Sequence, residues 1–274
     1  MNSISLHVYY GEILRMKFYK YQGAGNDFVL IDNRDNNFNA EDTALVAHLC
    51  DRRFGIGADG LMLLQEKGGY DFEMLYYNAD GNLGSMCGNG GRCIVAFAKH
   101  LGIIQTKTTF LAVDGAHEAT INQEADWVSL KMIDVSQIRK DGDAYVLNTG
   151  SPHYIKTVKN LQQFPVVEEG RAIRYHPTYK EDGINVNFVE AIDKGYAVRT
   201  YERGVEDETL ACGTGVTAVA LAMAYVSNQT GILNTPIKAQ GGALNIQFHH
   251  QGDGIFHEIY LEGPAHLVFE GDIN

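Results

Sequence analysis

Along most of this chain, apolar positions come in short runs or in alternation, and the breaks between them are filled by Gly, Asn and Asp. That pattern predicts strands. Lys17–Tyr21 and Phe28–Ile31 flank the polar turn QGAGND, and Leu61–Gln65 and Phe72–Tyr77 precede the turn signal Asn78-Ala79-Asp80-Gly81. Phe110–Val113, His117–Ile121 and Trp127–Met132 follow, separated by Asp-Gly or polar turns. Tyr145–Asn148 and Tyr154–Val158 enclose Gly150-Ser151-Pro152-His153. Ile184–Glu190 alternates apolar and polar as a half-buried strand does, and Tyr196–Tyr201 leads into Glu202-Arg203-Gly204. Leu244–Phe248, Ile255–Leu261 and His266–Phe269 are strand-like as well. Ala40–Arg52 has helical character, with Asn39 as its expected N-cap.

Two stretches depart from this pattern and resemble each other. Leu83–Cys93 reads LGSMCGNGGRC and Leu210–Gly215 reads LACGTG. Each is small-Cys-Gly-polar-Gly, and each runs into an apolar, helix-like segment, ending at Gly102 and Val226 respectively. Aligning Cys87 on Cys212 pairs Gly88 with Gly213, Asn89 with Thr214 and Gly90 with Gly215. Both segments are apolar nearly all round, so each helix must be surrounded rather than lie on a surface. The expected fold class is therefore α/β, of the α+β kind. It has two pseudo-symmetric domains, each a curved, mostly antiparallel sheet wrapped around a central helix.

Composition narrows the function. A net charge of −12 argues against nucleic-acid binding and against a role at an anionic membrane. No apolar run approaches the roughly 20 residues that span a bilayer. The first residues, MNSISLHVYYGEILR, lack the basic region and apolar core of a signal peptide. Four cysteines in 274 residues are no disulfide framework, so a reducing cytoplasm is expected. Cys87 and Cys93 are too far apart for a zinc knuckle and no paired His motif follows, so no metal is expected. Cys50 and Cys93 read as core thiols. Gly55–Gly60, GIGADG, formally matches the dinucleotide fingerprint. It follows charged CDRRF and precedes strand-like LMLLQ, so a nucleotide cofactor is not expected.

The chemistry lies with Cys87 and Cys212. Free N–H groups at a helix N-terminus point outward and favour negative charge. A cysteine there is expected to have a lowered pKa, and the same N–H groups can hold a carboxylate. Two such starts facing each other would set one thiol on each side of a bound carboxylate substrate. That suits removing a proton from one face of a carbon and returning one to the other.

The motifs MCGNGGRC and YERGVEDETLACGTG resemble the two cysteine motifs of the diaminopimelate epimerase family, and MKFYKYQGAGNDFVLID, RRFGIGADG and YYNADG resemble its other motifs. The resemblance runs from Met16 to about Gly271. It implies an active site in the cleft between the halves. It also implies residues 1–15 as an N-terminal extension, 16–120 as the first half, 121–262 as the second, and 263–274 returning to the first. By resemblance Cys87 pairs with His153 and Cys212 with Glu202, and Asn26, Asn78, Asn185, Ser151 and Arg203 contact substrate, Arg203 gripping the distal carboxylate. The N–H groups of Gly88, Asn89, Gly213 and Thr214 would hold the reacting carboxylate. Without the resemblance, Asn26 and Asn78 read as turn residues, Asn185 as an exposed strand residue, His153 as a packed loop histidine and Glu202-Arg203 as a surface ion pair. The implied reaction is cofactor-free interconversion of LL- and meso-diaminopimelate, a step toward lysine and cell-wall precursors, by a cytoplasmic homodimer that pairs through His266–Phe269. No PLP lysine motif is present.

Three departures from the family pattern stand out. Ser151 replaces a frequent Asn, EDET before Cys212 is one residue longer than the usual GET, and Gly60 replaces a frequent Gln, so a side-chain contact is expected to be missing there. Two other functions fit the cysteines. One is a proline-racemase-like enzyme or other racemase of the same superfamily, which needs no distal clamp. The other is a thiol-containing binding or redox module.

Overall fold

The computed structural model describes residues 16–84, 86–122 and 127–273. The extension expected over residues 1–15 lies outside them. Four α-helices occur among the described residues: α1 Thr43–Cys50, α2 Gly88–His100, α3 Val166–Arg174 and α4 Gly213–Val226. Both cysteine-led helices form where the apolar runs predict them.

Strand pairing shows an internal repeat. Met16–Gly23 is antiparallel to Asn26–Asp32, which runs parallel to Gly60–Gln65. That strand is antiparallel to Glu73–Asn78, which meets Lys107–Ala112 in parallel. Gly115–Ile121 and Trp127–Lys131 then add antiparallel. The second half repeats every step. Ala144–Asn148 is antiparallel to Pro152–Thr157, which is parallel to Asn185–Ala191. Tyr196–Glu202 adds antiparallel, Gly231–Ala239 parallel, and Gly242–Gly252 and Ile255–Pro264 antiparallel. The final strands of the two repeats, Trp127–Lys131 and Ile255–Pro264, pair antiparallel with each other. His266–Ile273 pairs with Met16–Gly23, and Arg139–Asp141 lies in the matching place beside Ala144–Asn148.

Each half wraps its sheet around a helix because that helix has no polar face to give to water. Around α2 the core includes Ile94, Val95, Phe97, Tyr21, Phe28, Met62, Phe110 and Leu130; around α4 it includes Val219, Leu221, Ile155, Val198, Ile246 and Phe256. Burying each such side chain contributes about 1.5–3 kcal/mol. The sheets are covered on their other faces too. There α1 packs Val46 and Leu49 on Val29, Ile31 and Leu63, while α3 packs Val166 beside Val186, Phe188 and Tyr201. Strands sandwiched this way are buried on both faces. Asn185–Val189 is one, so its alternating sequence does not mark a half-exposed strand; the two asparagines are buried.

A second correction concerns α1. Its N-cap is Asp42, whose carboxylate accepts from the Leu45 N–H at 2.9 Å. Asn39 instead accepts from Glu41 N–H and closes the turn before it. After the C-cap Leu101 of helix α2, Gly102 takes φ +74 and donates to Lys99 O.

Candidate active site

Cys87 and Cys212 occupy the same structural position. Each is the N-cap of its helix, with φ,ψ of −111°,126° and −111°,113°, and no side chain caps either start. The two starts touch. A Cβ added to Gly213 would lie 3.2 Å from Gly88 Cα and 3.0 Å from Leu261 Cδ2, and one on Gly88 would lie 2.8 Å from that same leucine atom. Only glycine permits this approach. It brings two partly positive helix ends together, an arrangement that an anion between them would stabilise.

Around Cys87, the Asn89 amide is fully buried. It donates to Asn26 Oδ1 at 2.5 Å and to Ala211 O at 2.9 Å, tying the first half to the approach to Cys212. Asn26 in turn donates to Asp59 at 2.9 Å. Arg92, also fully buried, reaches Asn89 Oδ1 at 3.0 Å and Gly88 O at 3.3 Å, and its Nε has no partner among the described residues.

Around Cys212, Thr214 Oγ1 lies 3.5 Å from the sulfur and 2.9 Å from His153 Nε2. The other ring nitrogen of His153 meets Asn187 Nδ2 at 3.1 Å, so Nδ1 is the acceptor and Nε2 carries the proton donated to Thr214. The sequence reading paired His153 with Cys87. In the structure its hydrogen bonds run to Thr214, two residues after Cys212, and to Asn187. It is no loop residue: it sits within the strand Pro152–Thr157, completely buried.

Glu202 ends its strand and accepts from Thr209 Oγ1 at 2.8 Å. The hairpin between Glu202 and Asp207 absorbs the longer approach to Cys212 in a turn with positive φ at Gly204 and Glu206.

The distal candidates form one cluster. Asn185 Nδ2 donates to Ser151 Oγ at 2.8 Å, its Oδ1 accepts from the Arg203 N–H at 2.9 Å, and Arg203 Nη2 lies 3.4 Å from the same serine oxygen. Arg203 Nη1 is held by Asp182 O at 2.9 Å. No acidic side chain bonds this guanidinium among the described residues, so the surface ion-pair reading does not hold. Asn78 stands apart, exposed at the end of Glu73–Asn78, with its backbone bonded across the turn to Asn82 and Gly81.

Titration departs from expectation. Both thiols are pushed up, not down. Burial is the main cause for each, the Glu202 carboxylate adds to it, and Cys87 adds further for Cys212. The Asn89 and Gly90 N–H groups and Arg92 oppose the rise at Cys87; Thr214 and Gly215 do so at Cys212. Desolvation outweighs the helix start. Glu202 is itself raised, by burial and by Asp59. His153 is lowered to about 3 by burial and by the Arg203 charge, so it is neutral at physiological pH. Burial raises Cys50 to about 11 and Cys93 to about 12, as suits core thiols.

Sequence reasoning missed Asn187, Asp59, Thr209 and Arg92, which hold His153, Asn26, Glu202 and Asn89. The Asn187 and Asp59 contacts join segments more than 30 residues apart, so no local motif exposes them; Thr209, across one hairpin from Glu202, and Arg92, inside GNGGRC, were nearer to visible. Among the described residues no group of three or more His, Cys, Asp or Glu side chains is placed to share a metal ion.

Comparison with known proteins agrees with this geometry. The family model for diaminopimelate epimerase matches residues 18–138 and 145–268. A diaminopimelate epimerase from Flavobacterium psychrophilum is 54% identical, covering 94% of this chain and all of that protein; one from Chlorobaculum tepidum is 45% identical, covering 92% and 98%. Among solved structures, a phenazine biosynthesis protein of the PhzF family from Bacillus anthracis superposes with a TM-score of 0.77 at 13% identity, covering 96% of this chain and all of that one. A probable proline racemase from Agrobacterium radiobacter superposes with a TM-score of 0.66 at 13% identity, covering 94% and 93%. These structural likenesses establish the shared fold. The sequence matches go further, and this chain belongs to the diaminopimelate epimerase family.

Proposed function

We propose that this protein is a cofactor-independent isomerase that interconverts LL- and meso-diaminopimelate by two-base proton transfer, in the route to lysine and cell-wall precursors. The observation that carries the reading is the matched pair of cysteine N-caps at two touching helix starts, with the Ser151–Asn185–Arg203 cluster present in one half only. The first-turn N–H groups of Gly88, Asn89, Gly213 and Thr214 hold the reacting carboxylate and stabilise the charge that spreads onto it as the α-proton leaves. One cysteine removes that proton and the other delivers one to the opposite face. Both thiols rest protonated, so the thiolate forms by proton transfer to a neighbour. Glu202 is the acceptor beside Cys212, while neutral His153 orients Thr214 against that sulfur. Arg203 presents its fork to the distal carboxylate, supported by Asn185 and Ser151, and Asn26 and Asn78 complete the contacts.

Strand pairing supports two halves divided after Lys131, later than residue 120, with His266–Ile273 belonging to the first. Leu267, Val268 and Phe269 are exposed on that strand, which pairs on one side with Met16–Gly23. This favours a homodimer formed there by apolar contact. Four free thiols fit a reducing cytoplasm, the net charge of −12 weighs against nucleic-acid partners, and among the described residues no helix is long and apolar enough to cross a membrane.

The test is a chiral assay of LL-diaminopimelate in heavy water without added cofactor. The new epimer should carry deuterium at the inverted carbon from the first turnovers, while unreacted substrate stays largely unlabelled. Product without early deuterium would refute the two-base assignment. Turnover of proline in preference to diaminopimelate would favour the racemase alternative, which leaves the Arg203 cluster without a purpose.

A further inference from the structure

Tyr76 has no part in the roles assigned above. It precedes Asn78 by two positions on Glu73–Asn78, so the two side chains share a face of the strand. Both border Gly84, where an added Cβ would fall 2.6 Å from the Tyr76 ring and 3.0 Å from Asn78 Oδ1. The far end of the ring covers Gly60, which lies opposite Asn78 in the strand register. A Cβ on Gly60 would stand 2.5 Å from Tyr76 Cε2 and 3.0 Å from its hydroxyl oxygen. The space that residue 60 leaves by lacking a side chain is therefore filled from the adjacent strand, by a phenol.

The hydroxyl end is placed for chemistry. Gly60 directly follows Asp59, the carboxylate that holds Asn26. Burial, joined by the charges of Cys87, Asp59 and Glu202, raises this phenol and keeps it a hydrogen-bond donor. Phe28 packs edge-on against the ring at 6.0 Å, and a phenylalanine at position 76 would fill the same space. The hydroxyl makes no hydrogen bond among the described residues. The hydroxyl is not sealed from water, so water accepts its proton before substrate binds and a bound carboxylate can take that water's place.

We infer that Tyr76 is a substrate-contacting residue whose O–H donates a hydrogen bond to a carboxylate of the bound amino diacid, from the side of the site built by Asn26 and Asn78. This rests on the reading that the cleft takes diaminopimelate.

Tyr76→Phe keeps the ring and removes only the donor. Its KM for LL-diaminopimelate should rise about tenfold or more, the range expected for a hydrogen bond to a charged group, while kcat stays within about threefold. The thermal midpoint should not move. The same factor should appear in the calorimetric Kd for LL-diaminopimelate when Tyr76→Phe is added to Cys87→Ala, where no turnover intervenes. An unchanged KM and Kd would overturn the inference. So would a fall in kcat at constant KM, which would mean that the hydroxyl acts on the thiols. Failure of the unsubstituted enzyme to epimerise LL-diaminopimelate is a separate result, visible before any variant is compared, and it removes the functional reading together with this one.

Discussion

Helices α2 and α4 begin alike, and among the positions where they differ one changes a buried charge. Five residues after Cys87 stands Arg92; five after Cys212 stands Thr217. Both are fully buried, and both turn back to the carbonyl four residues earlier, Arg92 to Gly88 O at 3.3 Å and Thr217 to Gly213 O at 2.9 Å. The local backbone requirement is the same, yet one solution carries a charge. A buried guanidinium without a carboxylate is costly. Its effect falls on Cys87, whose charged form it favours. On the other side the aids are neutral, a threonine hydroxyl and a histidine beyond it. The duplicated scaffold thus holds two thiols in one geometry and two electrostatic settings.

The broadest way to break this comparison is to remove the thiols. Cys87→Ala and Cys212→Ala should each lower epimerisation by about a thousandfold or more, since general acid–base groups contribute about 10²–10⁴ and neither cysteine can serve both faces. Near-normal turnover of either variant, followed by chiral chromatography, would dissolve the pairing. Arg203→Lys tests the asymmetry at the distal end. It keeps the charge and loses the fork, so kcat/KM for LL-diaminopimelate should fall about a hundredfold. Unchanged kinetics would make the Ser151–Asn185–Arg203 cluster a surface feature.

Arg92→Met sharpens the electrostatic contrast. In a Cys212→Ala background, the pH profile of Cys87 alkylation should move upward when the cation is removed. The counterpart, Thr217→Val in a Cys87→Ala background, should leave the Cys212 profile where it was. Equal shifts would mean that Arg92 acts only through packing.

The smallest effects lie in acid stability. His153 titrates near 6.5 when unfolded and is lowered to about 3 when folded, so the unfolded chain binds more protons between those values. Stability attached to this ring is complete above 6.5 and lost as pH falls toward 3. Asp27 behaves similarly at lower pH. Burial alone would raise it, but hydrogen bonds to Arg52 and Lys20 bring it from 3.8 to about 2, so its contribution is present above 3.8 and lost on the way down to about 2. Chemical denaturation across pH should therefore show a shallower loss for His153→Gln between 6.5 and 3. For Asp27→Asn the difference should be confined to the window below 3.8.

What the chain revealed in advance was whatever is written locally. The two central helices were legible because Ala-rich apolar runs follow a Cys-Gly start, and most strands because short apolar runs end in Gly and Asn turns. Helix α3 was not visible. Its VVEEGRAIR has a helical period, but it is only nine residues long, charged at Glu168, Glu169, Arg171 and Arg174, and weakened by an unfavourable Gly170. Gly231–Ala239 hid behind Pro236, which the parallel and antiparallel neighbours accommodate. At the site, motif resemblance found the cysteines and the distal cluster. It had no access to the direction in which desolvation drives a thiol, or to the hydrogen bonds of His153 with Thr214 and Asn187, because both depend on strands that meet only in the folded sheet.

The antiparallel pairing of Trp127–Lys131 with Ile255–Pro264 joins equivalent strands of the two repeats, which is the contact a two-fold axis produces. A chain of half this length, carrying one cysteine helix, would build the same junction by associating with its own copy. Such an ancestor would set two identical thiols across an axis of symmetry and treat both ends of its ligand alike. Two copies in one chain need not stay identical, so a cation can stand behind one sulfur and an arginine cluster on one flank. A molecule whose two ends differ only in handedness can then be held in a single orientation, with one stereocentre at the thiols and the other out of reach.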